Sequence, residues 1–336
     1  MHDESKMYEI EYPAPAVGDD SARGPVMIVA LQGFADAGHV VDASARHLKA
    51  ALNTKPMVSF NNDELIDYRS RRPAVTMTNQ SITNVEELNL DMRVARDNDG
   101  TPFLLLSGPE PDLRWEAFTD AVADLADKYN VSSTICLYGA PMTVPHTRPL
   151  VVSGHGNDPE LVADLLKIDS QITMPGSAQL FIERELHTRG HKVAGYTAHV
   201  PHYLAQWPYP QGTYQLLTSV SRSTGLNFPL RSLEVDIERA RAQLDEYMSD
   251  NQEVMQVVGA LEEQYDEEIQ RYREAHPNAM LPGEQAMPTG EELGAEFERF
   301  LASIDDQMDP EKGPRALGGE DKDDEERQDD DNRDDK

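Results

Sequence analysis

Uninterrupted apolar runs alternate with segments of helical periodicity along most of the chain, and this alternation strongly limits the possible folds. Residues 26–31, VMIVAL, are all apolar, as expected of a strand that is buried on both faces of a sheet. Between residues 37 and 52, apolar residues recur at helical spacing. Strand-like and helix-like segments in this order are typical of an α/β domain with a largely parallel sheet. We therefore predict a three-layer α/β/α fold with a mostly parallel mixed sheet.

The same patterns divide the chain into four predicted parts. Residues 1–22 are polar and are expected to be a flexible N-terminal segment. Residues 23–229 form the α/β/α core domain. Residues 230–275 have helical spacing and no strand pattern, which predicts a helical appendage. Residues 276–336 are rich in proline, glycine and charge and are expected to be a largely disordered acidic tail, with a possible short helix at 290–304.

Charge and composition exclude several classes of function. The formal net charge is -31, and residues 305–336 hold 15 acidic and 6 basic side chains, so the remaining chain carries -22 by itself. So acidic a body repels phosphate backbones and anionic lipid, and we predict neither a nucleic-acid partner nor a membrane partner. The single cysteine, Cys136, lies in an apolar run and is expected to be a core residue. A lone cysteine fits a reducing compartment and predicts a cytoplasmic protein.

Polar loops follow several of the predicted strands. In an open parallel sheet, ligands bind beyond the carboxyl ends of the strands, so these loops are expected to meet at one edge. The candidate binding residues in them are Gly33, Asp36, Asp63, Arg69, Glu110, His146, Arg148, His202 and Tyr203.

Two Pro-His pairs, Pro145-His146 and Pro201-His202, each follow an apolar run. Proline restricts the backbone, so each pair ends a strand and sets the direction of an imidazole. With Arg148, these histidines could bind an anion or relay a proton, or they could hold neighbouring loops together. No serine or cysteine in a recognisable nucleophile motif accompanies them, so we predict no catalytic set. His199 and His202 lack a third ligand at a known spacing, and we predict no metal and no cofactor.

The other candidates also have two readings. The turn from Gly33 could cradle a phosphate, but Asp36 at the start of the next helix would repel it and is favoured as a capping carboxylate. Asp63 and Arg69 belong to a loop crowded with carboxylates and guanidiniums, which could order itself or bind a substrate. Glu110 could line a site or belong to a capped helix entry.

Several motifs together resemble the proteasome assembly chaperone family, of the second-subunit type and in its actinobacterial branch. They are LQGFADAG, GPEPDLRWEAF, VPHTRP, VPHYLAQWPYP and LNFPLRSLEVDIERARAQLDE, within residues 26–272. The resemblance implies an α/β/α fold similar to nucleoside phosphorylases and related hydrolases. It also implies a protein that binds other proteins, because archaeal and eukaryotic members bind proteasome α-subunits and help to assemble the ring.

Two functions therefore remain open from the sequence. The first is a non-enzymatic, chaperone-like protein whose partners are proteins, possibly proteasome-related. The second is a phosphorylase- or hydrolase-like enzyme, or a small-ligand sensor, with its site at the carboxyl ends of the strands. Because proteins of the phosphorylase architecture often form trimers or hexamers, we also expect a homo-oligomer, for which a trimer is plausible.

Overall fold

The computed structural model describes residues 7–13, 17, 24–167, 171–249, 252–277 and 282–283. The strands are β1 (Tyr8–Ile10), β2 (Val26–Gln32), β3 (Asn53–Phe60), β4 (Val75–Thr78), β5 (Ser81–Val85), β6 (Asp91–Arg96), β7 (Pro102–Pro109), β8 (Ser133–Met142), β9 (Val152–Gly156), β10 (Leu166–Lys167) and β11 (Val193–Pro201). The helices are α1 (Val40–Ala51), α2 (Asn62–Leu65), α3 (Trp115–Lys128), α4 (Ala178–Thr188), α5 (Pro210–Thr224), α6 (Arg231–Ser249) and α7 (Gln252–Ala275).

One large sheet has the strand order β1-β3-β6-β7-β2-β8-β11-β9-β10 within the described residues. Its centre, β7-β2-β8-β11, is parallel, and β9 pairs with β10 in parallel. The pairs β1-β3, β3-β6, β6-β7 and β9-β11 are antiparallel. The mixed sheet of the prediction is therefore confirmed, with parallel and antiparallel pairs in equal number rather than mostly parallel ones. A short hairpin joins β6 to β7, whereas the strands of the other three antiparallel pairs are joined by long connections.

Two hydrophobic cores, one on each face of the sheet, explain the uninterrupted apolar strands. Along β2, Ile28 and Ala30 face a core formed with α1 and α5, while Met27, Val29 and Leu31 face a core formed with α3 and α4. Because side chains alternate between the two faces of a strand, a strand covered on both faces must be apolar at every position. The α/β/α layering of the prediction is thereby confirmed.

Part of the predicted flexible N-terminal segment forms an edge strand. Residues 8–10 pair with β3, Met7 is buried, and the carbonyl of Met7 accepts a hydrogen bond from the backbone of Asn61. The strand could not be predicted from the polar composition of this segment, because an edge strand is held by hydrogen bonds to its neighbour and does not need an apolar run.

The predicted helical appendage is present as α6 and α7. Leu233 of α6 joins the core beneath α1 and α5, so the pair packs on the α/β/α body. The strands β4 and β5 form a separate two-stranded hairpin whose residues are all exposed. The possible helix at 290–304 and nearly all of the predicted tail lie outside the described residues.

Candidate functional site

The parallel strands β2, β7, β8 and β11 end at the same edge of the sheet, and β3 runs in the same direction through its antiparallel pairing with β6. We call the loops beyond this edge the carboxyl rim: residues 33–39, 61–90, 110–114, 143–151 and 202–209. All of the predicted site residues lie in these loops.

His146 and Tyr203 bring the two Pro-His corners together. The Tyr203 hydroxyl accepts the backbone N–H of His146 at 2.9 Å and lies 2.8 Å from Nδ1 of the same residue. The rings of His146 and His202 both meet the Tyr203 ring edge to face. Burial lowers the pKa of His146 and raises the pKa of the Tyr203 phenol. A neutral imidazole that accepts the phenol hydrogen accounts for this geometry, so these side chains join β8 to β11.

Arg148 binds α7. Its Nε and Nη2 donate to the two carboxylate oxygens of Asp266 at 2.9 and 2.8 Å, and Nη1 lies 3.2 Å from Glu262. The hydrogen bond from Arg148 lowers the pKa of Asp266. Thr147 also donates to Glu262, and the Tyr265 hydroxyl donates to the carbonyl of Pro149 at 2.7 Å. Bidentate pairs of this kind are geometrically specific, so the guanidinium holds the second appended helix against the rim.

Gly33 and Glu110 are packed against one another. The buried Glu110 carboxylate accepts the backbone N–H of Ala178 at 2.7 Å and that of Phe34 at 3.3 Å. A Cβ at Gly33 would lie 2.0 Å from Oε2 of Glu110, so only glycine fits there. The carboxylate thus joins the ends of β2 and β7 to the start of α4.

Asp36 occupies the start of α1 with its own carboxylate. Its oxygens accept the backbone N–H groups of Val41 at 2.7 Å and Asp42 at 3.3 Å. Burial raises the pKa of Asp36 to about 6. These donors are the ones that a phosphate would need, and the capping role favoured from the sequence agrees with this arrangement.

Asp63 and Arg69 lie in the loop around α2, where charged side chains connect neighbouring loops. The pairs are Arg71 with Asp112 and Arg114 with Glu64. Asp63 is hydrogen-bonded to Tyr68, whose pKa is raised by desolvation and by this carboxylate. Arg69 is exposed, and its guanidinium forms no ion pair within the described part of the chain. The ion pairs of this loop therefore run to the 110–114 loop, and neither Asp63 nor Arg69 is a member of them.

The predicted residues thus form separate groups rather than one cavity. A shallow, solvent-open cleft lies beside His146, between the rim and α6. Its lining residues are His146, Tyr209, Pro210, Gln211, Ile237, Ala240, Arg241 and Leu244. The lining contains no serine, threonine or cysteine, and the α6 residues had no sequence signal beyond an apolar helical stripe.

Neither the cysteine nor the potential metal ligands of the described residues form a reactive site at the rim. Cys136 is fully buried, as predicted, and burial raises the pKa of its thiol well above the usual value, which suppresses the reactive thiolate. Within the described ranges, no group of three or more His, Cys, Asp or Glu side chains could hold a metal ion. None of the helices in those ranges is both long and apolar enough to span a bilayer.

Exposed apolar side chains at the rim were missed from the sequence. Phe34 and Trp207 are 72% and 69% exposed, and Tyr68 and Leu113 are exposed as well. The available signal was the position of these residues inside polar turns such as GFADAG and AQWPYP, where a large apolar residue has no strand or helix to pack into.

Comparison with known proteins identifies the relatives of this chain. The model of the PAC2 family matches residues 30–248. A Corynebacterium glutamicum protein of unknown function has 54% identity, with 80% of this chain and 100% of that chain covered and a TM-score of 0.77. A Mycobacterium tuberculosis protein of unknown function has 46% identity, with 79% and 92% covered and a TM-score of 0.76.

A second Mycobacterium tuberculosis structure, described as a proteasome-assembly chaperone homologue, has 25% identity to this chain. It covers 69% of this chain and 99% of its own, with a TM-score of 0.63. No curated protein matches the chain.

Proposed function

This chain belongs to the PAC2 family, and from that membership we propose that it is a non-enzymatic, assembly-chaperone-like protein that binds other polypeptides through its carboxyl rim. The observation that supports the proposal most directly is that many of the large apolar side chains exposed in the described residues belong to the rim loops or to the segment that enters α4. Those at the rim or in the segment that enters α4 are Phe34, Tyr68, Val75, Met77, Ile82, Val85, Leu113, Ile172, Met174 and Trp207.

Large apolar side chains that are exposed in neighbouring loops are a feature of protein contact sites, and aromatic side chains are enriched at the centre of such sites. The start of α4 lies at the rim because Glu110 binds the backbone of Ala178, and the exposed Ile172 and Met174 belong to the segment that leads into it. Loops that are tied together by Glu110 and Arg71 can present these side chains with little loss of conformational entropy on binding.

The polar groups of the rim support binding rather than chemistry. Arg148 and Glu110 each bind another part of the chain, and His146, which lines the cleft, is hydrogen-bonded to Tyr203. A nucleophile paired with a base is needed for covalent catalysis. No residue that lines the cleft beside His146 supplies one.

The hairpin β4-β5 supports the homo-oligomer proposed from the sequence. Val75 pairs with Val85, and Met77 pairs with Ile82, so their side chains share one face that is exposed to solvent. An isolated two-stranded hairpin is marginally stable in water and gains stability when its apolar face is covered. We propose that a second copy of the chain covers it, and a trimer is the proposed assembly.

Proteasome subunits are the first partners to test, because the relative with 25% identity is described as a proteasome-assembly chaperone homologue. We also propose a cytoplasmic location, which is supported by the buried, unpaired thiol of Cys136.

The proposal is tested with a rim variant in which Phe34, Leu113 and Trp207 are all replaced by serine. Purified actinobacterial proteasome α-subunits are titrated with the full chain and binding is measured by biolayer interferometry. Because the complex would bury these apolar side chains, the rim variant is expected to bind the α-subunits with an affinity at least about tenfold weaker. The matched control replaces Val235 and Val257, exposed on α6 and α7, by serine and is expected to bind within about twofold of the unmodified protein. Unchanged binding by the rim variant, or no binding by the unmodified chain, would count against the proposal.

The cleft under α6 favours a second candidate, binding of a small ligand between His146 and Arg241. A ligand that binds only the folded protein raises its melting temperature by mass action. A thermal-shift series with nucleosides, inorganic phosphate and sugar phosphates tests this candidate, and a flat series argues against it.

A further inference from the structure

One corner of the carboxyl rim combines exposed apolar side chains with guanidinium groups that form no ion pair among the residues that the structure describes. We call it the arginine corner and define it as Phe34, Tyr68, Arg69, Arg72 and Leu113, all of which are exposed. These residues come from three loops, which follow β2, β3 and β7. The corner is outside the cleft beside α6.

Hydrogen bonds hold the three loops in one arrangement. Arg71 donates to the carbonyl of Gln32 at 3.0 Å and pairs with Asp112 at 3.3 Å. The backbone N–H groups of Asp112 and Leu113 donate to the carbonyl of Leu65 at 2.8 and 3.1 Å. The exposed side chains therefore stand on a preformed surface, which reduces the entropic cost of binding a partner.

The carboxylates around this corner have hydrogen-bond or ionic partners, whereas two of its guanidinium groups form no ion pair within the described residues. Four carboxylates near the corner already have a donor: Asp63 has Tyr68, Glu64 has Arg114, Asp67 has the backbone of Arg69, and Asp112 has Arg71. Arg69 and Arg72, in contrast, form no ion pair with any residue that the structure describes. In a protein with a net charge of -31, two such guanidiniums in a loop that is tied to those of Phe34 and Leu113 are a local exception.

We propose, on the basis of the protein-binding function above, that the arginine corner binds a polypeptide segment in which carboxylates stand beside large apolar side chains. Guanidinium groups bind carboxylates through two parallel hydrogen bonds. The large apolar side chains of such a segment would be contacted by the Phe34 and Tyr68 rings and by Leu113. A phosphate polymer is the alternative that the test separates, because it shares the negative charge of such a segment but not its large apolar side chains.

The test uses a fluorescein-labelled peptide in which acidic residues alternate with phenylalanine or leucine, titrated with the full chain and followed by fluorescence anisotropy. Two further peptides replace either the acidic residues with lysine or the apolar residues with serine. A single-stranded oligonucleotide of equal charge tests the phosphate alternative. The protein variants are R69Q/R72Q and, as a control with the same change in net charge, R46Q/R239Q, whose arginines are similarly exposed on α1 and α6.

The proposal predicts that only the acidic-apolar peptide binds, that R69Q/R72Q weakens its binding about tenfold or more, and that R46Q/R239Q changes it by less than about twofold. Binding should also weaken between about 50 and 200 mM salt. Equal binding of the lysine peptide, tighter binding of the oligonucleotide, or no effect of R69Q/R72Q would overturn it. If the peptide fails while proteasome subunits still bind through Phe34, Leu113 and Trp207, this inference falls and the proposed function stands.

Discussion

Replacement of Gly33 by alanine tests whether Glu110 organises the rim. A Cβ at this position would lie 2.0 Å from Oε2, 2.8 Å from Cβ and 2.9 Å from Cδ of Glu110. The carboxylate would therefore have to move by about 1 Å to restore normal contact distances. A shift of this size breaks the 3.3 Å hydrogen bond from Phe34 and weakens the 2.7 Å bond from Ala178.

The expected cost follows from those two contacts. A hydrogen bond to a charged group contributes about 1.5–3 kcal/mol, so one lost and one weakened bond cost about 2–4 kcal/mol. Alanine restricts the unfolded chain more than glycine does, which by itself raises the free energy of unfolding by about 0.4–1 kcal/mol. The net loss in the free energy of unfolding is about 1–3.5 kcal/mol, which corresponds to a melting temperature lower by about 3–10 °C.

Urea denaturation and calorimetry measure this loss, with Gly259→Ala as the matched control. Gly259 lies within α7 and a Cβ there meets nothing within 4 Å, so alanine should stabilise the protein by about 0.5–1 kcal/mol. In a Glu110→Ala background, the oxygen is gone and Gly33→Ala should cost at least about 1 kcal/mol less. A Gly33→Ala protein as stable as the unmodified one, or additive costs in the double variant, would refute the reasoning.

Two further predictions concern assembly and pH. Replacing Met77 and Ile82 by serine should weaken self-association about tenfold or more in analytical ultracentrifugation. The control replaces Thr76 and Asn84, on the other face of the hairpin, by serine and should leave self-association unchanged. Equal effects of the two pairs would contradict the proposed interface. Nε2 of His155 lies 2.8 Å from the buried Glu183 carboxylate, and this bond raises the pKa of His155. Because the pKa of His155 is higher in the folded than in the unfolded protein, the pair stabilises the fold at low pH, and this contribution is lost as pH rises through the folded pKa. In urea titrations, His155→Gln should therefore destabilise the protein more at about pH 6 than at about pH 8.5. A difference in the opposite direction would contradict the assignment.

The layered fold was predictable because it depends on short-range patterns. Strand β2 is apolar at successive positions and α3 has a regular apolar stripe, and each pattern reflects the faces that the element buries. The same reasoning missed β1, whose three residues are held by β3 rather than by their own hydrophobicity. It placed Gly33, Glu110, His146 and Tyr203 at one edge because parallel strands end together.

The pairings at that edge could not be read from the chain. Phe34 and Glu110 are 76 residues apart, and Arg148 and Asp266 are 118 residues apart, so no local spacing links them. The order of strands and the position of α7 decide which polar groups meet, and both depend on packing over the whole sheet.

The sequence alone therefore determined the alternation of strands and helices, the burial of both sheet faces and the acidic surface, because each depends on the local order of residue types. The tertiary structure alone decided that His146 and Arg148 bind other parts of the chain, and that Phe34, Trp207 and two arginines remain exposed. Those outcomes depend on which distant loops become neighbours, and a side chain is available to a partner only when no neighbour in its own fold has already contacted it.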